Sequence, residues 1–219
     1  MKFQSATVIS DITQEEQLDN TISFLVAILS SICEFRDLES GEHVKRIQAY
    51  TNIMIRKVMN LYPEYGITEA DCKLITTASA LHDIGKIVIP DEILMKPGKL
   101  TSDEFAEVKR HTLYGCEILD RFVQYEDEFY RYCFDICKYH HERWDGKGYP
   151  EGLIGEKIPI WAHIVGIADV YDALVNQKIY RGAVEREKAV SMILNGNCGV
   201  FNPKVMECFK ASLKEFEAV

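Results

Sequence analysis

The chain has 219 residues, 47% of them hydrophobic and 27% charged, enough apolar material for one sizeable core with no long linker dividing unequal halves. Its 25 Lys and Arg against 34 Asp and Glu give a net charge of −9, which excludes a general DNA- or RNA-binding surface and a basic membrane-binding one. A small anionic ligand stays open, because bound metal ions impose their own local positive charge.

The first ten residues, MKFQSATVIS, hold no apolar signal core, and the longest apolar run, Phe24 to Leu29, is far too short to span a bilayer. Residues 1–16 read as a polar arm or lead-in. Over 17–37, Leu18, Ile22, Leu25, Val26, Leu29, Ile32 and Cys33 recur at helical spacing and predict an amphipathic helix, which serves either core packing or a homodimer and signalling contact. Residues 38–219 form the main domain. The seven cysteines (Cys33, Cys72, Cys116, Cys133, Cys137, Cys198, Cys208) are odd in number and contain no CxxC pair, so they read as reduced, mostly buried thiols of a cytoplasmic protein.

Glu39 and His43 are four apart, so a helix beginning near Leu38 projects both from one face. Thr68 with Asp71 resembles a capping box that opens a helix through Leu74, Ile75, Ala78 and Leu81 and delivers His82 and Asp83, with Gly85 and Pro90 ending it. After the loop Lys96-Pro97-Gly98-Lys99, Thr101 with Glu104 forms a second capping box, starting a helix that carries Phe105, Val108, His111, Thr112, Gly115, Ile118 and Leu119. A further helix from Glu126 to about His141 finishes in His140-His141. The Gly- and Pro-dense stretch from Glu142 to Pro150 that follows forces a tight loop beside these two imidazoles. Ile158-Pro159 opens an apolar helix with Asp169 and Asp172 as its only acids, and helices over about Glu185 to Leu194 and from Asn202-Pro203 complete the chain. With no convincing strand, repeat or low-complexity tract, the fold class is all-α.

Glu39, His43, His82, Asp83, His111, His140, His141 and Asp169 include five of the six histidines. Two vicinal pairs, an i,i+4 pair and an acid inside an apolar helix point to a multi-metal site, since neutral imidazole and ionised carboxylate are ligands for which a buried cation compensates. The ligand types suit Fe, Mn or Zn alike. His163 is six residues from Asp169, on a different helix face, and reads as a core residue.

The order His43, LHDIGK around His82-Asp83, KPGKLT, His111, HHERWDGKGYP and IADVYDAL resembles the HD-GYP branch of the HD metal-dependent phosphohydrolases over about residues 38–215. The resemblance implies an HD-type helical bundle with an irregular GYP loop and a centre of two or three metals, usually iron or manganese, that hydrolyses cyclic di-GMP to pGpG or GMP. By position it makes His43, His82, Asp83, His111, His140, His141 and Asp169 metal ligands, and Glu39 the extra carboxylate of three-metal members. It places Lys86, with Asp83, at the scissile phosphate. Tyr149, Asp172, Lys178 and Arg181 fall to substrate binding. The chain departs from the family at Lys178-Ile179-Tyr180-Arg181, where an arginine commonly comes first, so the first phosphate contact loses its bidentate fork. It departs again at Phe201-Asn202-Pro203, where Phe-Asp-Pro is usual. Such domains usually follow a sensory or receiver domain, and a diguanylate cyclase is a further expected partner. The alternatives are a phosphohydrolase for another cyclic dinucleotide and a regulatory module that binds nucleotide or protein without turnover.

Overall fold

Ten helices are found among the residues described by a computed structural model of the chain, 14–36, 42–121, 127–176 and 184–219. They are α1 (Gln14–Arg36), α2 (His43–Leu61), α3 (Glu69–Ser79), α4 (Asp91–Leu94), α5 (Ser102–Lys109), α6 (His111–Asp120), α7 (Glu128–Tyr139), α8 (Ile160–Val175), α9 (Arg186–Leu194) and α10 (Pro203–Phe216). No strand occurs among the described residues, only an isolated bridge between Asp145 and Ile154. The class is all-α.

Local chemistry starts several of these helices. The Thr68 and Thr101 hydroxyls accept the backbone N–H of Asp71 and Glu104, whose carboxylates accept the threonine N–H in return, closing both expected capping boxes. Asn202 accepts the N–H groups of Lys204 and Val205 ahead of Pro203, satisfying donors that the first turn of α10 leaves open.

α8 is the central element, with Ile160, Ile164, Val165, Ile167, Ala168, Tyr171 and Leu174 all buried, as an almost uniformly apolar helix requires. It packs against α2, α7, α9 and α10. Tyr50 of α2 and Phe216 of α10 lie with ring centroids 4.4 Å apart, and Tyr171 of α8 lies 5.3 Å from Phe216, so one aromatic cluster ties three helices together. The cysteines are all free, and every one except Cys198 is buried. No helix among the described residues is long and apolar enough to cross a membrane.

Four boundaries differ from the sequence expectation. α2 begins at His43, with Glu42 as its N-cap, rather than near Leu38. α3 ends at Ser79, so His82 and Asp83 sit on turns, and Gly85 lies inside a 3-10 segment, Ile84–Val88, rather than stopping a helix. The helix expected from Thr101 through Leu119 breaks at Arg110 into α5 and α6. α7 stops at Tyr139, leaving His140 and His141 beyond its end.

His163 is a core residue, as expected, 1% exposed and packed near Trp144 and Phe201, but neither of its ring nitrogens has a hydrogen-bond partner. Burial, assisted by the Arg143 charge, pushes its pKa down to about 3. The unfolded chain takes up this proton near pH 6.5, so the stability tied to neutral His163 is complete above that pH. It is lost as the pH falls toward 3, at up to ~1.4 kcal/mol per pH unit. Denaturant unfolding of His163→Leu at pH 7 and pH 5 is expected to show a smaller acid loss than the parent, and an equal loss would refute this account.

Candidate metal centre

A backbone crossing brings His82-Asp83 up to His111. The chain leaves α3 in tight turns, His82 N–H to Ser79 carbonyl and Ile84 N–H to Leu81 carbonyl, and passes against the start of α6 at Gly85. A Cβ there would lie 1.9 Å from the His111 carbonyl oxygen and 2.4 Å from the Gly115 nitrogen, so glycine is required for the contact. The approach sets Asp83 Oδ1 3.2 Å from His111 Nε2 and 3.7 Å from His140 Nε2, while Asp83 Oδ2 lies 3.3 Å from His82 Nε2 and 2.8 Å from Lys86 Nζ.

Four of the imidazoles are oriented from behind. His82, His111 and His140 place Nδ1 2.9, 2.7 and 2.8 Å from the carbonyl oxygens of Ser79, Val108 and Ile136. A carbonyl only accepts, so each Nδ1 carries a proton and each Nε2 is the atom turned to the centre. His43 does the same through Asp172 Oδ2 at 2.7 Å. This outer hydrogen bonding fixes tautomer and ring direction in metal sites.

The inward-facing atoms form two groups, Asp83, His111, His140 and His141 in one and His43, His82 and Asp169 in the other, each with ligand atoms within 4.8 Å of one another. All seven ligands that the sequence proposes for the described region fall in these groups. Glu39, Lys178 and Arg181 lie outside the described residues.

The donor chemistry fits cations. His82 Nε2 and Asp83 Oδ1 are buried without a hydrogen-bond partner, which native interiors rarely tolerate unless something else binds there. Burial disfavours the His82 charge, yet the Asp83 and Asp169 carboxylates outweigh it and hold the pKa up at about 9, the mark of a local negative field. His140 is pushed down to about 3, first by burial and then by His82, and His141 is lowered by burial and by His140 and His111. Burial raises the Asp83 carboxyl, but Lys86, His82 and His111 bring it well below its usual range. The result is an ionised carboxylate beside the neutral imidazoles of His140 and His141, with His82 in a negative field that a cation would satisfy in place of its proton, a good donor set for a divalent metal.

Two residues take roles that the sequence did not give them. Asp172, expected among the substrate contacts, is buried behind His43, where it also accepts Arg46 Nε at 2.6 Å and Nη2 at 2.9 Å and Asn176 Nδ2 at 2.8 Å. Its oxygens are committed, and burial, which alone would raise its pKa, is outweighed by His43 and Arg46, which lower it. Asp172→Asn is expected to weaken metal binding about 10- to 100-fold, read by metal titration. Unaltered affinity would show that His43 needs no anchor.

Glu142, directly after the paired histidines, is 1% exposed, and its carboxylate accepts the backbone N–H groups of Glu151, Gly152 and Leu153 at 2.7, 3.0 and 3.0 Å. The loop folds back at Gly148, where a Cβ would meet Arg143 N and Glu142 Cα at 2.4 Å. This return lays Tyr149 on His141, ring centroids 4.6 Å apart and 30° between planes. Arg143 crosses the Phe201 ring at 4.6 Å and donates to the His140 and Glu142 carbonyls, holding the other side of the loop. The position of Glu142 within the HHE motif was the only sequence signal for its role.

Residues 19–205 match the HD domain family. The chain is 37% identical over 209 residues to a cyclic di-GMP phosphodiesterase of Vibrio cholerae, covering 94% of this chain and 42% of that protein. It is 37% identical over 210 residues to a cyclic di-GMP phosphodiesterase of Thermotoga maritima, covering 94% and 54%, and 38% identical over 202 residues to the 3'3'-cGAMP-specific phosphodiesterase 2 of V. cholerae, covering 92% and 37%. The chain thus spans about half the length of these relatives or less. A crystal structure of a cyclic GMP-AMP specific phosphodiesterase from V. cholerae shares the fold, with a TM-score of 0.64 at 18% identity over 90% of this chain and 50% of that one.

Proposed function

The chain belongs to the HD domain family, and from that membership and its two ligand groups we propose that it is a metal-dependent phosphodiesterase that hydrolyses cyclic di-GMP to pGpG or GMP. The observation that carries this reading is Asp83, whose two carboxylate oxygens face different groups of imidazoles, Oδ1 toward His111 and His140 and Oδ2 toward His82. A carboxylate so placed suits a bridge between two cations. Iron or manganese is our reading for the pair, with zinc compatible with the same ligands.

When bound, such ions supply a water acidified to near-neutral pKa and positive charge for the phosphoryl oxygens. The protein's own groups do the rest. His43, His82 and Asp169 on one side and His111, His140 and His141 on the other would hold the ions, with Asp83 between them, and the backbone carbonyls and Asp172 keep the imidazoles from turning. Lys86, 2.8 Å from Asp83, holds a positive charge where the scissile phosphate and its leaving oxygen lie. Tyr149 covers His141 and limits water on that side. The free, mostly buried thiols fit work in the reducing cytoplasm.

Competing initial rates on cyclic di-GMP, 3'3'-cGAMP and cyclic di-AMP test the substrate reading. The expected order puts cyclic di-GMP first, and a higher kcat/KM for 3'3'-cGAMP would transfer the assignment to that dinucleotide.

A second copy of the chain is the partner we propose for α1. This helix has two apolar faces. Val26 and Cys33 are buried against the domain, where the hydroxyl of Ser30 donates to the Ala80 carbonyl at 2.8 Å. On the other side Leu18, Leu25, Ile28, Ile32 and Phe35 are exposed, Phe35 by 83%, and with Thr21 they alternate at three- and four-residue steps. That is the repeat by which a helix pairs with its own copy, and each such side chain gains roughly 1.5–3 kcal/mol when fully covered. Sedimentation is expected to show a dimer that Ile32→Asp converts to monomer, whereas a monomeric parent protein would remove this partner.

A further inference from the structure

A line of contacts leads from the metal ligands to the surface of α5. Tyr149 stacks on His141 and stands edge-on to His111 at 6.5 Å. Lys109 Nζ lies 5.7 Å from the Tyr149 ring centroid and 5.4 Å from that of Phe105. Phe105 and Lys109 are four residues apart on α5 and so share a face. Phe105 is 51% exposed. Among the described residues no carboxylate pairs with Lys109, whereas Lys86 is held by Asp83. Lys109, beside Tyr149, is therefore cradled by rings and not neutralised by an acid among the described residues.

A cyclic dinucleotide carries two phosphates and two purines. With one phosphodiester at the metal centre, the other half of the ring lies outside it and needs a charge for its phosphate and a flat surface for its base. We propose that Lys109, Phe105 and Tyr149 form the subsite for this uncut half, Lys109 contacting its phosphate and the exposed face of Phe105 carrying its purine. The inference rests on the phosphodiesterase reading above. A lysine suits the first task as a compact point charge. An aromatic face suits the second because every base has a π-surface to stack. Transfer of Lys109 from ring to phosphate also breaks no ion pair with a described residue.

The test compares cyclic di-GMP with bis(p-nitrophenyl) phosphate, a single phosphodiester with neither purine nor second phosphate, using the full-length metal-loaded protein. Lys109→Met and Phe105→Ala are each expected to raise KM for cyclic di-GMP about tenfold, with kcat changed less than about twofold. The ratio of kcat/KM for cyclic di-GMP to that for the small diester is expected to fall by the same factor, and Lys109→Arg should recover most of the loss. An unchanged KM, or an equal fall on both substrates, would overturn the subsite and leave the two rings and the lysine as structural packing. A parent protein that cleaves the small diester but no cyclic dinucleotide would instead overturn the phosphodiesterase reading, and the subsite with it.

Discussion

Asp83→Ala is expected to deplete both ligand groups at once, where loss of any single histidine would impair one. Oδ1 of Asp83 serves His111 and His140, Oδ2 serves His82, and Lys86 is anchored on the same carboxylate. Removing it takes away a carboxylate that faces both sets of imidazoles and leaves Asp169 on one side only. A fall from about two metals per chain to less than one, with turnover lost on the order of a thousandfold or more, is the expected result. Circular dichroism of the same sample separates this from unfolding, since Asp83 lies on a turn outside the helices of the core. A variant that kept two metals would show that the groups are independent, and Asp83 would then be no bridge.

Glu142→Ala is expected to give the largest loss of stability of any single change at the site. Three backbone N–H groups converge on one buried carboxylate, and hydrogen bonds to a charged acceptor are each worth about 1.5–3 kcal/mol. Even with partial rescue by water the variant should lose roughly 3–5 kcal/mol, which for a chain of this size lowers Tm by on the order of 10 °C. Activity should fall as well, because the return strand that places Tyr149 over His141 depends on those bonds. Glu142→Gln presents one oxygen without the charge and should lie between the two. A Tm within about 2 °C of the parent would mean that the loop is held elsewhere, with Arg143 over Phe201 the next anchor to examine.

Features set by neighbouring residues were legible in the sequence. Both threonine capping boxes and the Asn202-Pro203 start of α10 lie where their residue types demand, because each cap is satisfied within three positions. The clustering of the seven candidate ligands in the described region was legible too, since few other arrangements justify so many titratable groups in apolar surroundings. Features set by distant packing were not. The break at Arg110 contains neither glycine nor proline, and it lies directly before the His111 carbonyl that Gly85 approaches from a distant part of the chain. Asp172 resembled a substrate residue because its partners, Arg46 and His43, stand 126 and 129 positions earlier. Lys109 gave no signal at all, since its place beside Tyr149 arises only when the loop of Glu142 folds back. The start of α2 at His43 likewise lies beside a contact from another element. Val44 N–H at the start of α2 donates to the buried Glu34 carboxylate at 2.8 Å, a contact made from α1 that no local pattern announces.

The measurement that bears most directly on the central claim is metal content by elemental analysis on protein purified without oxygen, with cyclic di-GMP turnover followed by chromatography on the same sample and on His82→Ala. Two or three metals per chain with steady conversion to pGpG or GMP, both reduced in the variant, is the result predicted here. A metal-loaded parent protein that leaves cyclic di-GMP intact, or full turnover by a sample stripped of metal, would contradict it.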